Sequence, residues 1–423
     1  MLNKQIWHYI VPMNGGFIIL KPLLKQADTH MDFELPAEGD PRRLEVRKWC
    51  EEHPKPTGME LAKQGYVVPH WIAPWGLEAE PELQLILDDE LDRADIRRPN
   101  NSVAINNCGI SLVVHGTKAQ QDRYLWPALS GEEIWCQLFS EPSSGSDLAS
   151  LQTRAVKDGD HYVINGSKIW TSLAHRAKVG IMVARTDPSA PKHRGLSTFI
   201  IDMDAPGVEV KPIDDMTGYP NEYNQCFFTD VRVPVGNLLG VEGDGWKIST
   251  SQLQTERVAL AKPGAIWGTG PGARDMVRGL SQTEAFEDPL VRQQAASLYI
   301  ESEILRLLKY RNLSDRLQGR PIGPESAIQK VLSAPHGQRV MAMTLEHMGP
   351  RGLISKEKPF ESPDDRDEWN WGIWFSPAVT LGIGTTEVMK NVISERLLGM
   401  PRENDPDIKR PWKDTGKKKE ATS

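Results

Sequence analysis

Between Trp135 and Gly245, short β-rich runs alternate with turn clusters, and this block lies between two longer stretches of helical pattern. The runs RAVKDGDHYVING, VGIMVARTD, LSTFIIDM, GVEVKPI and QCFFTDVRVP are of strand length and are divided by turn residues. Asp158-Gly159 and Asn165-Gly166 read as turn dipeptides between alternating strands, so an antiparallel barrel or sandwich is expected here. Ahead of it, Leu83, Ile86, Leu87 and Leu91 share one helix side after Pro81, a natural first-turn residue. Gly116 then ends one helix and Thr117 caps the next, which carries Gln120, Tyr124 and Leu125. Behind it, segments 245–268, 289–319, 324–348 and 378–398 are long and nearly free of breakers, enough for a bundle. The expected class is α+β, with a helical domain over 31–134, a middle β domain over 135–244 and a helical bundle over 245–402. Residues 403–423 read as a flexible tail with Lys417-Lys418-Lys419.

Composition excludes several partners. The 423 residues carry 50 Lys and Arg against 57 Asp and Glu, and a net charge of −7 is the wrong sign for a nucleic-acid surface. Cys50, Cys108, Cys136 and Cys226 are far apart, which points to a reducing cytoplasm rather than a zinc site or a disulfide framework. The ten histidines form no HxxH or HExxH spacing, so no metal is expected. No apolar run reaches the roughly 18 residues of a membrane helix. Residues 1–30 hold two broken apolar runs, IWHYIV and FIIL, with Pro12 and Lys21 among the interruptions, and read as an extension or an upstream start ahead of Met31 rather than a secretory signal. The 13 Trp indicate large packed or ligand-facing surfaces.

Two segments carry the chemistry. LFSEPSSGSDLASL (138–151) is rich in hydroxyls and backbone N–H groups that can wrap a ring edge or a phosphate. NGSKIWTSLA (165–174) sets Trp170 beside Thr171 and Ser172, an aromatic that can cover a flat heteroaromatic ring. Alone, the first is an ordinary turn and the second a Trp packed in a barrel. Together, in this order and spacing, they resemble the acyl-CoA dehydrogenase family, whose patterns read roughly TEPxAGSD and KxWITN. The likeness continues through TGYPNEYNQCFFTDVRVP (217–234), LLGVEGDGWKI (238–248) and SERLLGMPR (394–402), and spans about residues 31–402.

That resemblance implies FAD as cofactor and α,β-dehydrogenation of an acyl-CoA to trans-2-enoyl-CoA, with electrons passed to electron-transferring flavoprotein. It makes Leu138 and Ser140 flavin-edge contacts. Gly145 and Ser146 bind the phosphates, or in the case of Ser146 the pantetheine arm. Trp170 and Ser172 stand beside the ring, and Thr385 and Glu387 stand near the pyrophosphate and adenosine end. Many members keep the catalytic Glu just before a Gly-Thr on the last bundle helix, but here that position is Ile383, which cannot take a proton. The other placement, on the first bundle helix, falls on Glu256 in GWKISTSQLQTERVALA, with Arg257 beside it tuning the site. The Ile383 backbone N–H and a flavin ribityl hydroxyl then polarise the thioester carbonyl.

Two family features are missing. VRGLSQTEAFEDP (277–289) lacks the usual Arg-x-x-Phe-Gly, and LEHMGPRGL (345–353) puts Glu346 and Pro350 in the Gln-x-x-Gly-Gly loop, with Arg351 following. A carboxylate there cannot donate as an amide does and repels a pyrophosphate. The combination resembles the bacterial α2β2 heterotetrameric members that act on steroid side-chain thioesters, so the expected assembly is a homotetramer or such a heterotetramer. An acyl-CoA oxidase, a nitroalkane-oxidase-like relative, or a catalytically incomplete subunit shares enough of these motifs to stay open.

Overall fold

The computed structural model describes residues 10–13, 16–19, 36–218, 223–250, 252, 271–317, 323–349, 368–405 and 407–415. The chain divides into Met1–Glu34 and Leu35–Ser423. In the smaller unit, β1 (Ile10–Met13) and β2 (Gly16–Ile19) form an antiparallel hairpin.

The larger unit begins with helices whose ends are written in the sequence. Asp40 caps α1 (Pro41–Glu52) by accepting from the Arg42 N–H, with Pro41 in the first turn. Thr57 and Glu60 form a capping box on α2 (Gly58–Lys63). Pro81 opens α3 (Pro81–Arg93). A π-helical turn over Val103–Cys108 runs into α4 (Gly109–His115). The expected Thr117 cap is present, closing a box with Gln120 on α5 (Lys118–Ser130), and Gly131 ends that helix at φ +79°. Inside this layer Arg43 and Glu90, 1% and 2% exposed, form a 2.6 Å ion pair that Arg47 joins at 2.8 Å, locking α1 to α3.

The middle block consists of β3 (Trp135–Leu138), β4 (Arg154–Asp158), β5 (His161–Lys168), β6 (Val179–Arg185), β7 (Leu196–Asp202), β8 (Val208–Ile213), β9 (Tyr223–Pro234) and β10 (Leu238–Leu239). Their order in the sheet is β10-β7-β6-β4-β5-β9-β8, with β3 on β6. Most pairings are antiparallel as expected, but β3 runs parallel to β6 and β4 meets β6 in parallel at Arg154 and Arg185. A second correction concerns Asn165-Gly166, which is no turn. It sits inside β5 at a bulge against β9, where the Asn165 amide and Asp230 exchange hydrogen bonds of 3.0 Å. Gly166 has φ +153°, and a Cβ there would meet Thr153 Oγ1 at 2.4 Å, so only glycine fits. Asp158-Gly159 does join β4 to β5.

Strand β6 is buried along its whole length, and its alternation shows why. Val179 and Ile181 pack with the N-terminal helices in one core, while Met182 and Ala184 pack inside the sheet in another. The 134/135 division is therefore not a packing boundary. Gln120 crosses it too, donating to the carbonyls of Gly236 and Leu238 at 2.8 and 2.9 Å.

After β10 the chain is helical over 245–250. Then follow α6 (Ala273–Leu280), α7 (Pro289–Leu317), α8 (Ser326–His347), α9 (Glu368–Leu381) and α10 (Thr386–Val392). Met276, Leu280, Val291, Leu298, Val340 and Met343 form one bundle core, and Met341, Trp371 and Phe375 another. The helix expected over 378–398 is two helices and a terminal π turn (Ile393–Leu397), broken over 382–385, where Ile383 and Gly384 both have positive φ. Helix α6 was not anticipated. Within the stretch expected to be a flexible tail, residues 411–415 dock on the β6–β7 turn through hydrogen bonds from Trp412 N–H to Ala190 O and Lys413 N–H to Pro188 O, and residues 416–423 lie outside the described residues. Among the described residues no helix is long and apolar enough to cross a membrane.

Replacing Glu90 with Ala leaves the buried Arg43 guanidinium short of a partner. A loss of about 3–5 kcal/mol is expected, the usual result of removing one member of a buried pair. Thermal unfolding against the unaltered protein measures it.

Candidate active site

Loop 139–153 is built from its two ends inward. Phe139, Leu148 and Leu151 are buried with Val183 and Leu196, which fixes the loop's feet on β6 and β7. Glu141 and Ser144 exchange two backbone hydrogen bonds of 3.0 Å, closing a tight turn. That turn leaves Ser143, Gly145 and Ser146 exposed.

Under the turn lies a buried charge pair. Lys168, fully buried at the end of β5, donates to Glu141 Oε1 at 2.9 Å and to Phe139 O at 3.0 Å. Glu141 also accepts from the amides of Gln152 at 2.6 Å and Thr153 at 2.9 Å. Burial pushes Lys168 down to about 8, an effect that the Glu141 charge partly offsets. Burial pushes Glu141 upward, but the Lys168 charge and the three donors outweigh it and hold the carboxyl below its ordinary range. Both groups are therefore charged at neutral pH. Neither was singled out from the sequence. The available signal was that Glu141 and Lys168 coincide with the Glu and Lys of the two family patterns.

The second segment lies alongside the first, since the Ile169 amide donates to Ser140 O at 2.9 Å. Trp170 follows at φ +59°, and Leu173 at φ +63°. A bulky residue in the left-handed region persists only where its surroundings hold it. Here the holder is a reciprocal pair between Thr171 and Asn224, N–H to O at 3.0 and 3.1 Å, reinforced by the Asn224 side-chain amide on Thr171 O at 3.0 Å. The Trp170 ring is thereby presented to solvent, 57% exposed. Its edge meets Tyr223 at 5.8 Å, Tyr223 lies parallel to Phe375 at 6.3 Å, and Phe375 stacks on Trp371 at 4.4 Å, so an aromatic row links the β domain to α9.

The remaining expected residues fall as follows. Leu138 is fully buried in the sheet core beside Met182 and Phe199, so only its main chain can reach a ligand. Ser140 and Ser172 are half-buried. Ile383 has φ +60°, an outlier for a β-branched residue, in the break between α9 and α10. Thr385 caps α10 by accepting from the Val388 N–H at 3.2 Å. Glu387 is exposed, and its own amide and the Thr385 hydroxyl hold its carboxyl low. Glu346 is exposed at the end of α8, while Glu256, Arg257, Pro350 and Arg351 lie outside the described residues. The structure thus sets Ser140, Trp170 and Ser172 beside one another, while Ile383, Thr385 and Glu387 lie in the break between α9 and α10 and at the start of α10.

Residues 136–231 match the acyl-CoA dehydrogenase middle domain and residues 243–398 the acyl-CoA dehydrogenase C-terminal domain. Acyl-CoA dehydrogenase IpdE1 of Mycobacterium tuberculosis is 33% identical over 74% of this chain and 79% of its own length. The chain belongs to the acyl-CoA dehydrogenase family. It is an oxidoreductase. Acyl-CoA dehydrogenase FadE34 of the same organism is 34% identical over 81% of this chain, but the matched part spans only 46% of FadE34. Among solved structures, the Tcur3481-Tcur3483 steroid ACAD superposes with a TM-score of 0.71 at 29% identity, covering 88% of this chain and all of that one. The ChsE4-ChsE5 complex from Mycobacterium tuberculosis gives 0.72 at 27%, with the same coverage.

Replacing Lys168 with Met strands Glu141 as an unpaired buried carboxylate, and about 3–5 kcal/mol of stability is expected to go at neutral pH. The pH dependence has a definite sign. Glu141, held low, contributes stability that is complete above the ordinary value of 4.5 and lost as pH falls through its folded value. Lys168, held low at about 8 against 10.5, weakens the fold below pH 8, and that loss fades as pH rises between the two values. The deficit of the Met variant should therefore shrink in acid, where Glu141 takes up a proton. Unfolding of both proteins at neutral and acid pH checks this.

Proposed function

We propose that this chain carries out FAD-dependent α,β-dehydrogenation of a bulky, steroid-like acyl-CoA in the cytoplasm, with electrons leaving to electron-transferring flavoprotein. The observation that carries the reading is Trp170. A large aromatic is kept exposed and in the left-handed region beside a hydroxyl loop that is itself pinned by a buried ion pair. Apart from its contact with Tyr223, so exposed an indole adds little to the chain's own packing, but it suits a flat ring lying against it. The loop also has room and a spare group. Among the described residues, a Cβ added at Gly145 would meet no atom within 4 Å, and the buried Ser144 hydroxyl has no hydrogen-bond partner. These residues fit FAD, with the main chain at Leu138 and Ser140 along the ring edge, Trp170 and Ser172 beside it, Gly145 and Ser146 toward the phosphates, and Thr385 and Glu387 toward the adenosine end. Bound there, FAD supplies the acceptor for the hydride leaving the β-carbon.

The chain's own work is on the proton. An α-hydrogen of a thioester is weakly acidic, so its removal needs a base in reach and a donor on the carbonyl. Glu256 is the base. As substrate displaces water, its carboxylate loses solvation and becomes a stronger base. Arg257 tunes that charge, and the Ile383 N–H is the carbonyl donor. A backbone donor survives the change of side chain at 383, and an aliphatic residue there leaves acyl groups a non-polar wall. Ser146 borders the pantetheine arm.

A partner chain in an α2β2 assembly completes the site. In the segment replacing Arg-x-x-Phe-Gly, Phe286 packs against the bundle core and Arg278, itself largely exposed, faces Asp275 at 3.7 Å. Glu346 brings a negative charge where the family uses an amide. Along α7, Ile300, Ile304 and Leu307 form an exposed apolar stripe at helical spacing that suits a partner helix.

Glu256→Gln is expected to lower turnover by roughly 10²–10⁴-fold, the scale of a general base, with flavin content unchanged. Near-normal dehydrogenation by that variant would remove Glu256 from the role. Flavin stoichiometry decides the partner question. The chain expressed alone should hold less than one FAD per subunit, and a fully loaded, stable homotetramer would contradict the heteromeric site.

A further inference from the structure

The turn between β6 and β7 is held from both sides by more contacts than a surface turn requires. Arg185, at the end of β6, is only 3% exposed. All three of its side-chain hydrogen bonds go to main-chain carbonyls: Ala149 at 2.6 Å, Leu151 at 3.2 Å and Lys192 at 3.2 Å. Ala149 and Leu151 are the far foot of the hydroxyl loop, just before the Gln152 and Thr153 amides that hold Glu141. The Arg185 amide adds a bond of 2.7 Å to Thr153 O.

The open face of this guanidinium is covered by the C-terminal segment. The Trp412 ring centre lies 4.2 Å from the guanidinium carbon. Trp412 is set there by main-chain pairing: its N–H to Ala190 O at 2.9 Å, Lys413 N–H to Pro188 O at 3.0 Å, and an antiparallel bridge between Pro191 and Pro411. Lys192, in the same turn, reaches Asp147 of the loop at 3.2 Å and Asp405 of the segment at 3.7 Å. A guanidinium bonded only to neutral carbonyls keeps them best where water is excluded. An indole face over the fork excludes water and also attracts the cation.

We propose that Trp412 is a positioning residue: the C-terminal segment straps Arg185 and thereby holds residues 147–153, and with them the hydroxyl loop, in the conformation that binds the anionic cofactor. This rests on the reading of loop 138–146 as a flavin site. Trp412 itself touches neither cofactor nor substrate in this account.

The test is amide hydrogen exchange on the full chain, in its assembled form where a partner is needed, with Trp412→Ala, Trp412→Leu and Trp412→Phe. In the Ala variant, amides of 149–153 should exchange about thirtyfold faster, the factor that a desolvated cation–π contact is worth. Amides within β7 should be unchanged. Phe should restore protection, and Leu, which covers without a π face, should fall between. The FAD dissociation constant should rise in the same order, with turnover per bound flavin unaltered. Unchanged exchange at 149–153, loosening spread equally through β7, a Leu variant that matches the unaltered protein, or a loosened loop with unchanged FAD affinity would each overturn the proposal. If the unaltered protein takes up no FAD, the flavin reading fails, while the exchange pattern still decides whether Trp412 holds the loop.

Discussion

The site depends on one buried ion pair. Lys168 and Glu141 meet at 2.9 Å with almost no access to water, and each is tied further to main chain, Lys168 to Phe139 O and Glu141 to two amides. A buried charge pair of this kind adds little stability against a well-packed apolar alternative, but it tolerates very few geometries. Here it fixes the hydroxyl loop against the strand that leads straight into Trp170. The strand end is placed in turn by the bulge at Gly166, so a glycine with no side chain helps determine where the ammonium lies.

The bundle contributes by a different means. The last helical stretch is interrupted at 382–385, and Ile383 takes a left-handed conformation there, which a β-branched residue keeps only where the surrounding structure holds it. The aromatic row from Trp170 through Tyr223 to Phe375 and Trp371 couples the two halves by packing rather than by charge.

Much of this was legible in the residues. The order helical, β, helical follows from periodicity, and the Thr117 cap from local chemistry that acts within one turn. What failed had non-local causes. Asn165-Gly166 carries the same signal in a hairpin as in a bulge, and only the strand opposite, through Asp230, decides between them. The parallel pairing of β3 with β6 leaves no mark in either strand. Glu141 and Lys168 look like surface charges until burial is known, and Trp412 looks like part of a polar tail until Arg185 is found beneath it. The excess of Trp divides accordingly: Trp71, Trp75 and Trp135 are core, Trp412 is a cover, and Trp170 is presented outward.

The claim that joins these features is that an acyl-CoA thioester gives up two electrons at the Trp170 site. Anaerobic addition of straight-chain, branched and steroid side-chain acyl-CoAs to the flavin-loaded protein, followed by absorbance, tests it most directly. The account predicts loss of the oxidised flavin spectrum with a bulky thioester, together with one trans-2-enoyl-CoA per flavin bleached. A flavin that binds and stays oxidised in the presence of every thioester would contradict it.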